Sequence, residues 1–173
     1  NGDDEREVVR FGQAGMGVID LSVGEEIATL NGVAVDAVGI PDGEPTDLRG
    51  FGPEILALEM SNNALLVRYL DPIDLTVRGE PQTGRATGGT FVRAEIVQRG
   101  DLARIVAQFD RGGLQYLTIY EPGEELRRRG PERGPFRHLH WQLDADSDGN
   151  GNADLMFLGG SNPDWMNTDV RFV

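Results

Sequence analysis

FVRAEIVQRGDLARIVAQFDRGGLQYLTIY, residues 91–120, decides the fold. Three apolar runs stand in it, Phe91 to Gln98, Leu102 to Phe109 and Leu114 to Tyr120, separated only by Gly100-Asp101 and by Arg111-Gly112-Gly113. The runs have strand length, are rich in Val, Ile, Phe and Tyr, and are divided by turn formers, so they predict a β-meander.

Toward the carboxyl end, Phe136 to Leu143, Leu155 to Leu158 and Val170 to Val173 read as closing strands, after a polar loop at Glu121 to Pro135 that carries an arginine run. Toward the amino end, Val8 to Phe11 and Val18 to Val23 read as the first strands, behind an acidic tail at Asn1 to Glu7. Asn31-Gly32 lies between Ile27, Ala28, Leu30 and Val33, Val35; it predicts a two-residue hairpin, because Asn-Gly accepts the positive φ such a turn needs. Pro41 to Pro53 reads as a long surface loop. Ile55 to Leu70 fits either a helix or two strands, and we prefer Ile55 to Met60 and Leu65 to Leu70 as strands about a turn at Ser61 to Asn63. Asp74 to Arg78 follows as a strand, and Gly79 to Gly89 as a loop. About ten short strands without interleaved helices predict an all-β chain, an antiparallel β-sandwich or jelly-roll-like domain spanning residues 1–173.

Charge narrows the function. The chain has 29 acidic side chains against 16 basic ones, all arginine, for a net charge of −13. Such a surface repels phosphate backbones, and the cluster Arg127, Arg128, Arg129, Arg133 and Arg137 is interleaved with Gly and Pro rather than aromatics, so nucleic-acid binding is not expected. No apolar run approaches the roughly 20 residues a bilayer span requires. There is no Cys. Nothing in Asn1 to Arg10 has the pattern of a signal peptide, and we expect Asn1 to be a processed end of a secreted protein.

The most informative motif is LDADSDGNGNADL, residues 143–155. Oxygen donors recur there at alternate positions, and calcium takes six to eight hard oxygen ligands from a loop that a glycine allows to turn sharply. A loop starting at Asp144 supplies Asp144, Asp146 and Asp148 before Gly149 but meets Leu155 where an EF-hand has its bidentate Glu. A loop starting at Asp146 supplies Asp146, Asp148 and Asn150 before Gly151, then the Asn152 carbonyl and Asp154, and this register is preferred. The metal set is accordingly Asp144, Asp146, Asp148, Asn150, Asn152 and Asp154, with Ca²⁺ as the ion. In that register the segment resembles the D-x-D-x-[DN]-G-x-x-D loops of integrin alpha subunits and of FG-GAP or VCBS repeats. The stretch from Trp141 onward is also similar to the carboxyl-terminal segment of secreted RTX-type proteins. The resemblance is local, and it implies an extracellular, calcium-stabilised β domain.

Other signals carry less. His138 and His140 lie two apart on one strand face, a metal-ligand spacing, but Leu139, Trp141 and Leu143 form a core stripe opposite them, so the histidines are expected to face solvent. Arg99-Gly100-Asp101 spells an integrin-recognition tripeptide, and ordinary turn chemistry accounts for it. No nucleophile elbow, P-loop or dinucleotide fingerprint is present, so no enzymatic activity is expected. The expected function is an extracellular calcium-binding structural or adhesive protein. It would assemble into homo-oligomers or filaments by exchanging strands at Val8, Val9, Phe11 or Val170, Phe172, Val173. The alternative is a polysaccharide-binding accessory module with Tyr116, Tyr120 and Trp165 as a small stacking platform.

Overall fold

Where a strand is apolar on both faces, both faces must be covered, and that requirement organises this molecule. The structure, a computed structural model, describes residues 7–10, 15–30, 34–40, 54–60, 63–86, 88–99, 102–123, 125–144, 154–160 and 168–172. Among them there is no helix, and so none long and apolar enough to cross a membrane.

The strands form four antiparallel sheets. The first contains β1 (Glu7–Arg10), β2 (Met16–Asp20) and β3 (Glu25–Leu30) in that order. The second contains β4 (Asp36–Ile40), β5 (Glu54–Met60), β6 (Ala64–Leu70) and β7 (Val77–Arg85). The third runs β8 (Thr90–Arg99), β9 (Leu102–Arg111) and β10 (Leu114–Glu121), with β11 (Arg127–Arg128) and β12 (Arg133–Phe136) both paired to β10. The fourth contains β13 (His138–Asp144), β14 (Asp154–Gly160) and β15 (Thr168–Phe172).

Three cores join the sheets. The largest lies between the second and third: Leu56, Leu58, Leu65, Val67 and Tyr69 meet Phe91, Ile96, Ile105, Ala107, Phe109 and Tyr120. This is the sandwich expected from the sequence. The outer face of the second sheet is covered by the first, through Met16 and Val18 against Ile55, Ala57 and Leu70. The outer face of the third sheet is covered by β13, through Leu139 and Trp141 against Val97, Val106 and Leu117.

The meander forms as expected, with β8 and β9 in register from Thr90↔Asp110 to Arg99↔Leu102, and β9 and β10 from Ile105↔Tyr120 to Arg111↔Leu114. Ile55 to Leu70 resolves into the two preferred strands, paired from Ile55↔Leu70 to Met60↔Leu65.

Four expectations are corrected. Leu30 and Val35 do not flank a hairpin: β3 pairs back on β2, while β4 pairs with β5 in another sheet. The turn that forms is at Leu21 to Gly24, so the strand expected through Val23 ends at Asp20. There the Asp20 carboxylate accepts hydrogen bonds from the Ser22 amide at 2.7 Å and hydroxyl at 2.6 Å, and Gly24 takes a φ of 71°. Asp74 to Thr76 is also a turn rather than a strand. The Asp71 carboxylate accepts from the Ile73 amide at 2.8 Å, and Asp74 from the Thr76 amide at 2.9 Å. Leu75 takes a φ of 58° and keeps its side chain buried in the core beneath the first sheet. Finally, Gly79 to Arg85 is strand rather than loop, because β7 is a sheet edge, where Pro81 is tolerated, and its pairing shifts between Val67 and Tyr69. Residues 1–6 of the acidic tail, the Asn31-Gly32 pair, the whole of Pro41 to Pro53 and Gly100-Asp101 lie outside the described residues.

Side chains clamp both margins of the sandwich. On one, the Asp36 carboxylate of β4 accepts a hydrogen bond from the Ile96 amide of β8 at 2.6 Å, occupying a donor that β8 turns away from β9. On the other, the Gln82 amide of β7 donates to the Gly123 carbonyl, and the Tyr120 hydroxyl donates to the Arg85 carbonyl at 3.1 Å. Gly84 lets the two layers approach at that margin: a Cβ there would stand 2.9 Å from Leu126 Cδ2 and 3.2 Å from the Tyr120 ring, so that one of those side chains would have to shift.

Burial pushes the Asp36 carboxyl above its ordinary value of 3.8, against the opposing pull of its bonds from Ile96 and Ala37. A folded-state pKa raised in this way means that the native state binds the proton more tightly than the unfolded chain. The contribution of Asp36 to stability is then fully present below about pH 3.8 and is lost as pH rises through the folded value. Asp36→Asn abolishes that loss, so the gain in melting temperature between acidic and neutral pH should be larger in the variant than in the parent, whatever the absolute offset. Calorimetry across that range checks it; parallel curves would contradict the assignment.

Candidate functional site

The hairpin β13–β14 that bears the predicted calcium loop is built onto the third sheet by alternation. Leu139 and Trp141 face inward, Trp141 being 1% exposed, and His140 and Gln142 are exposed, as the sequence pattern predicts, whereas His138 is half-buried rather than open to solvent. Trp141 is held from three directions. Its indole N–H donates to the Gln108 carbonyl oxygen at 2.9 Å, its ring lies under the Arg93 guanidinium at 4.0 Å, and its own carbonyl accepts from Arg93 at 2.8 Å. Arg93 is itself oriented by an ion pair with Glu95.

From this anchor the two strands stay in register from His138↔Gly160 to Asp144↔Asp154. The last pair sets two aspartates opposite each other in the register, flanking the sequence segment 145–153. Like charges in directly opposed positions destabilise a strand pair, by up to about 1 kcal/mol, unless something compensates them. Asp146, Asp148, Asn150 and Asn152 lie outside the described residues. Of the six predicted ligands the pairing therefore brings together Asp144 and Asp154. His138 and His140 sit two apart on β13, and among the described residues no group of three His, Asp or Glu side chains is placed to hold a metal ion.

A second arrangement was not read from the sequence. The segment expected to be a loop, Glu121 to Pro135, folds back on β10 as β11 and β12. Most of its arginines form ion pairs: Arg127 with Glu125 at 3.8 Å, Arg128 with Glu132 at 3.1 Å and Arg129 with Glu121 at 3.0 Å. Between β11 and β12 the chain leaves β10, and a cavity of about 220 Å³ opens there, lined by Arg104, Leu117, Ile119, Arg129, Pro131 and Arg133 among others. Arg104 and Arg133 have no ion-pair partner among the described residues, and the Arg104 Nε is buried without a hydrogen bond. The sequence signal was the arginine run itself; what it lacked was Arg104, far away on β9.

Compared with known proteins, the chain matches no family model, no curated protein and no solved structure.

The anchoring of the hairpin is testable through Gln108, which is 6% exposed. Gln108→Leu keeps the volume and removes the acceptor, leaving the buried indole N–H unsatisfied, and should lower stability by about 1–3 kcal/mol in urea unfolding. An unchanged midpoint would mean that the bond does not hold β13 to the sheet.

Proposed function

We propose that this chain is a non-enzymatic, extracellular structural or adhesive domain rigidified by calcium at the loop between Asp144 and Asp154. The observation that carries this reading is the hairpin register, which opposes Asp144 to Asp154 on either side of a segment whose sequence supplies Asp146, Asp148, Asn150 and Asn152. A divalent cation converts that repulsion into coordination, so that ion binding and closure of the loop are coupled. Assembly by strand exchange is part of the same proposal. It is supported by the position of the terminal strands: β1 and β15 each have one strand neighbour among the described residues, so each leaves an edge to which a second copy can add a strand. Calcium would also offset the −13 net charge that opposes association.

Calorimetry in chelator, calcium and magnesium tests the ion. Calcium should raise the melting temperature and magnesium much less, because the smaller ion demands near-octahedral geometry and dehydrates reluctantly. Asp154→Asn gives a sharper signature with two signs. In chelator it removes the opposed charge and should stabilise by a few tenths of a kcal/mol, whereas in calcium it removes a ligand and should diminish the calcium-induced gain. Identical melting curves in all three media would reject the site. Sedimentation of the whole chain and of one lacking residues 1–12, with and without calcium, tests assembly; a monomer throughout would reject strand exchange and leave the ion site standing.

A further inference from the structure

We propose that the cavity beside β10 is a binding site for a small oxyanion, a phosphate, sulfate or carboxylate group, held by Arg104, Arg129 and Arg133. The inference is independent of the calcium loop.

Strand alternation places the three arginines on one side of the third sheet. Arg133 is the register partner of Leu117, and the Arg129 amide donates to the Ile119 carbonyl at 2.7 Å, so both follow the face that carries Leu117 and Ile119. Arg104 lies two residues before Val106, the inward residue of that same face on β9, and therefore shares its side. Leu117 and Ile119 make an apolar floor, and Gly130-Pro131 completes the wall.

The charge balance around the cavity is unusual for this protein. The chain as a whole is strongly acidic, and most described arginines outside the cavity have a carboxylate within salt-bridge distance, as in Arg10 with Glu26, Arg68 with Glu59 and Arg111 with Glu132. The acids nearest the cavity are already engaged. Glu121 takes Arg129, and Glu132 accepts from both Arg128 and Arg111. Among the described residues Arg104 and Arg133 have no salt-bridge partner, and the Arg104 Nε is buried without a hydrogen bond, so that guanidinium has a donor to satisfy.

The chemistry of the ligand follows from the donors. Guanidinium groups present parallel N–H forks that match two oxygens of a phosphate, sulfate or carboxylate, and Arg129, which gives Nη1 to Glu121 at 3.0 Å, keeps further N–H donors. The volume, below the roughly 300 Å³ at which drug-sized pockets begin, suits an ion or the terminal group of a ligand rather than an extended chain. The apolar floor favours a group with a hydrocarbon or sugar flank.

The test is isothermal titration of the full chain with sodium phosphate, sodium sulfate and sodium glucuronate, each at ionic strength matched with sodium chloride. Saturable binding of at least one probe is expected, and the ranking of the three identifies the oxyanion. Arg104→Gln and Arg133→Gln should each weaken it about tenfold or more, as expected for loss of a charge-assisted bond, while Arg127→Gln, in the same run but outside the cavity, should leave it unchanged. Melting curves of each variant establish that it is folded; should one fail, the other carries the comparison. No saturable binding to any probe, or an equal loss in Arg127→Gln, would overturn the proposal.

Discussion

The middle strands of the second and third sheets, β5 and β9, are buried on both faces, and the rest of the layering follows from that. On β5, Leu56 and Leu58 point into the sandwich core while Ile55 and Ala57 point the other way into the core beneath the first sheet. On β9, Ala103, Ile105, Ala107 and Phe109 face the sandwich, and Val106 and Gln108 face Trp141 and its surroundings. A sandwich of these two sheets alone would expose an apolar surface on each outer side, at a cost of about 25 cal/mol for every Å² left in water. The first sheet and the β13 hairpin remove that cost. They are covers, and each is apolar on the side that covers.

The same constraint explains where the sequence could be read and where it could not. Phe91 to Tyr120 was legible because the turn formers Gly100-Asp101 and Gly112-Gly113 in the sequence mark the ends of strands whose lengths match. Ile55 to Met60 lacked alternation because it is buried on both faces, so periodicity could not separate a strand from a buried helix and the Asn62-Asn63 break had to decide. Asn31-Gly32 misled for a different reason. Hairpin chemistry is local, but pairing is decided by which partner buries the strand, and Asp36 to Ile40 has its partner in β5, where Val35 also donates to the Leu58 carbonyl at 2.8 Å. Pro81 concealed β7 because a proline argues against a strand only when that strand is central.

The two candidate sites differ in legibility for a related reason. The candidate calcium segment is contiguous, so its oxygen donors could be counted from Asp144 to Asp154; the structure contributes the register that sets its first and last members opposite each other. The arginine cavity is assembled from β9, β12 and the turn after β11, and its existence depends on a division of labour along one edge of β10. Tyr120 and Glu121 pair with β11, Gln115 and Leu117 with β12, and the gap between them is the cavity. No spacing rule reports such a gap, because it is made by what fails to pair.

The arginine cavity lies on the outer side of the third sheet, and β13, the strand that leads to the candidate calcium segment, packs on that same side. It begins two residues after Phe136 closes β12, crosses the sheet with Leu139 and Trp141 buried, and ends at Asp144. A continuous strand fixed at Trp141 transmits position in both directions: toward the arginines through the β12–β10 pairing, and toward the acidic loop through the register with β14. The Trp141 anchor uses a hydrogen bond to Gln108 and a guanidinium face from Arg93, polar contacts in a layer that could have been sealed by aliphatic side chains alone. Directional bonds fix where the strand lies along the sheet, which apolar contact does not. Placing them under β13 therefore fixes the position of that strand on the third sheet.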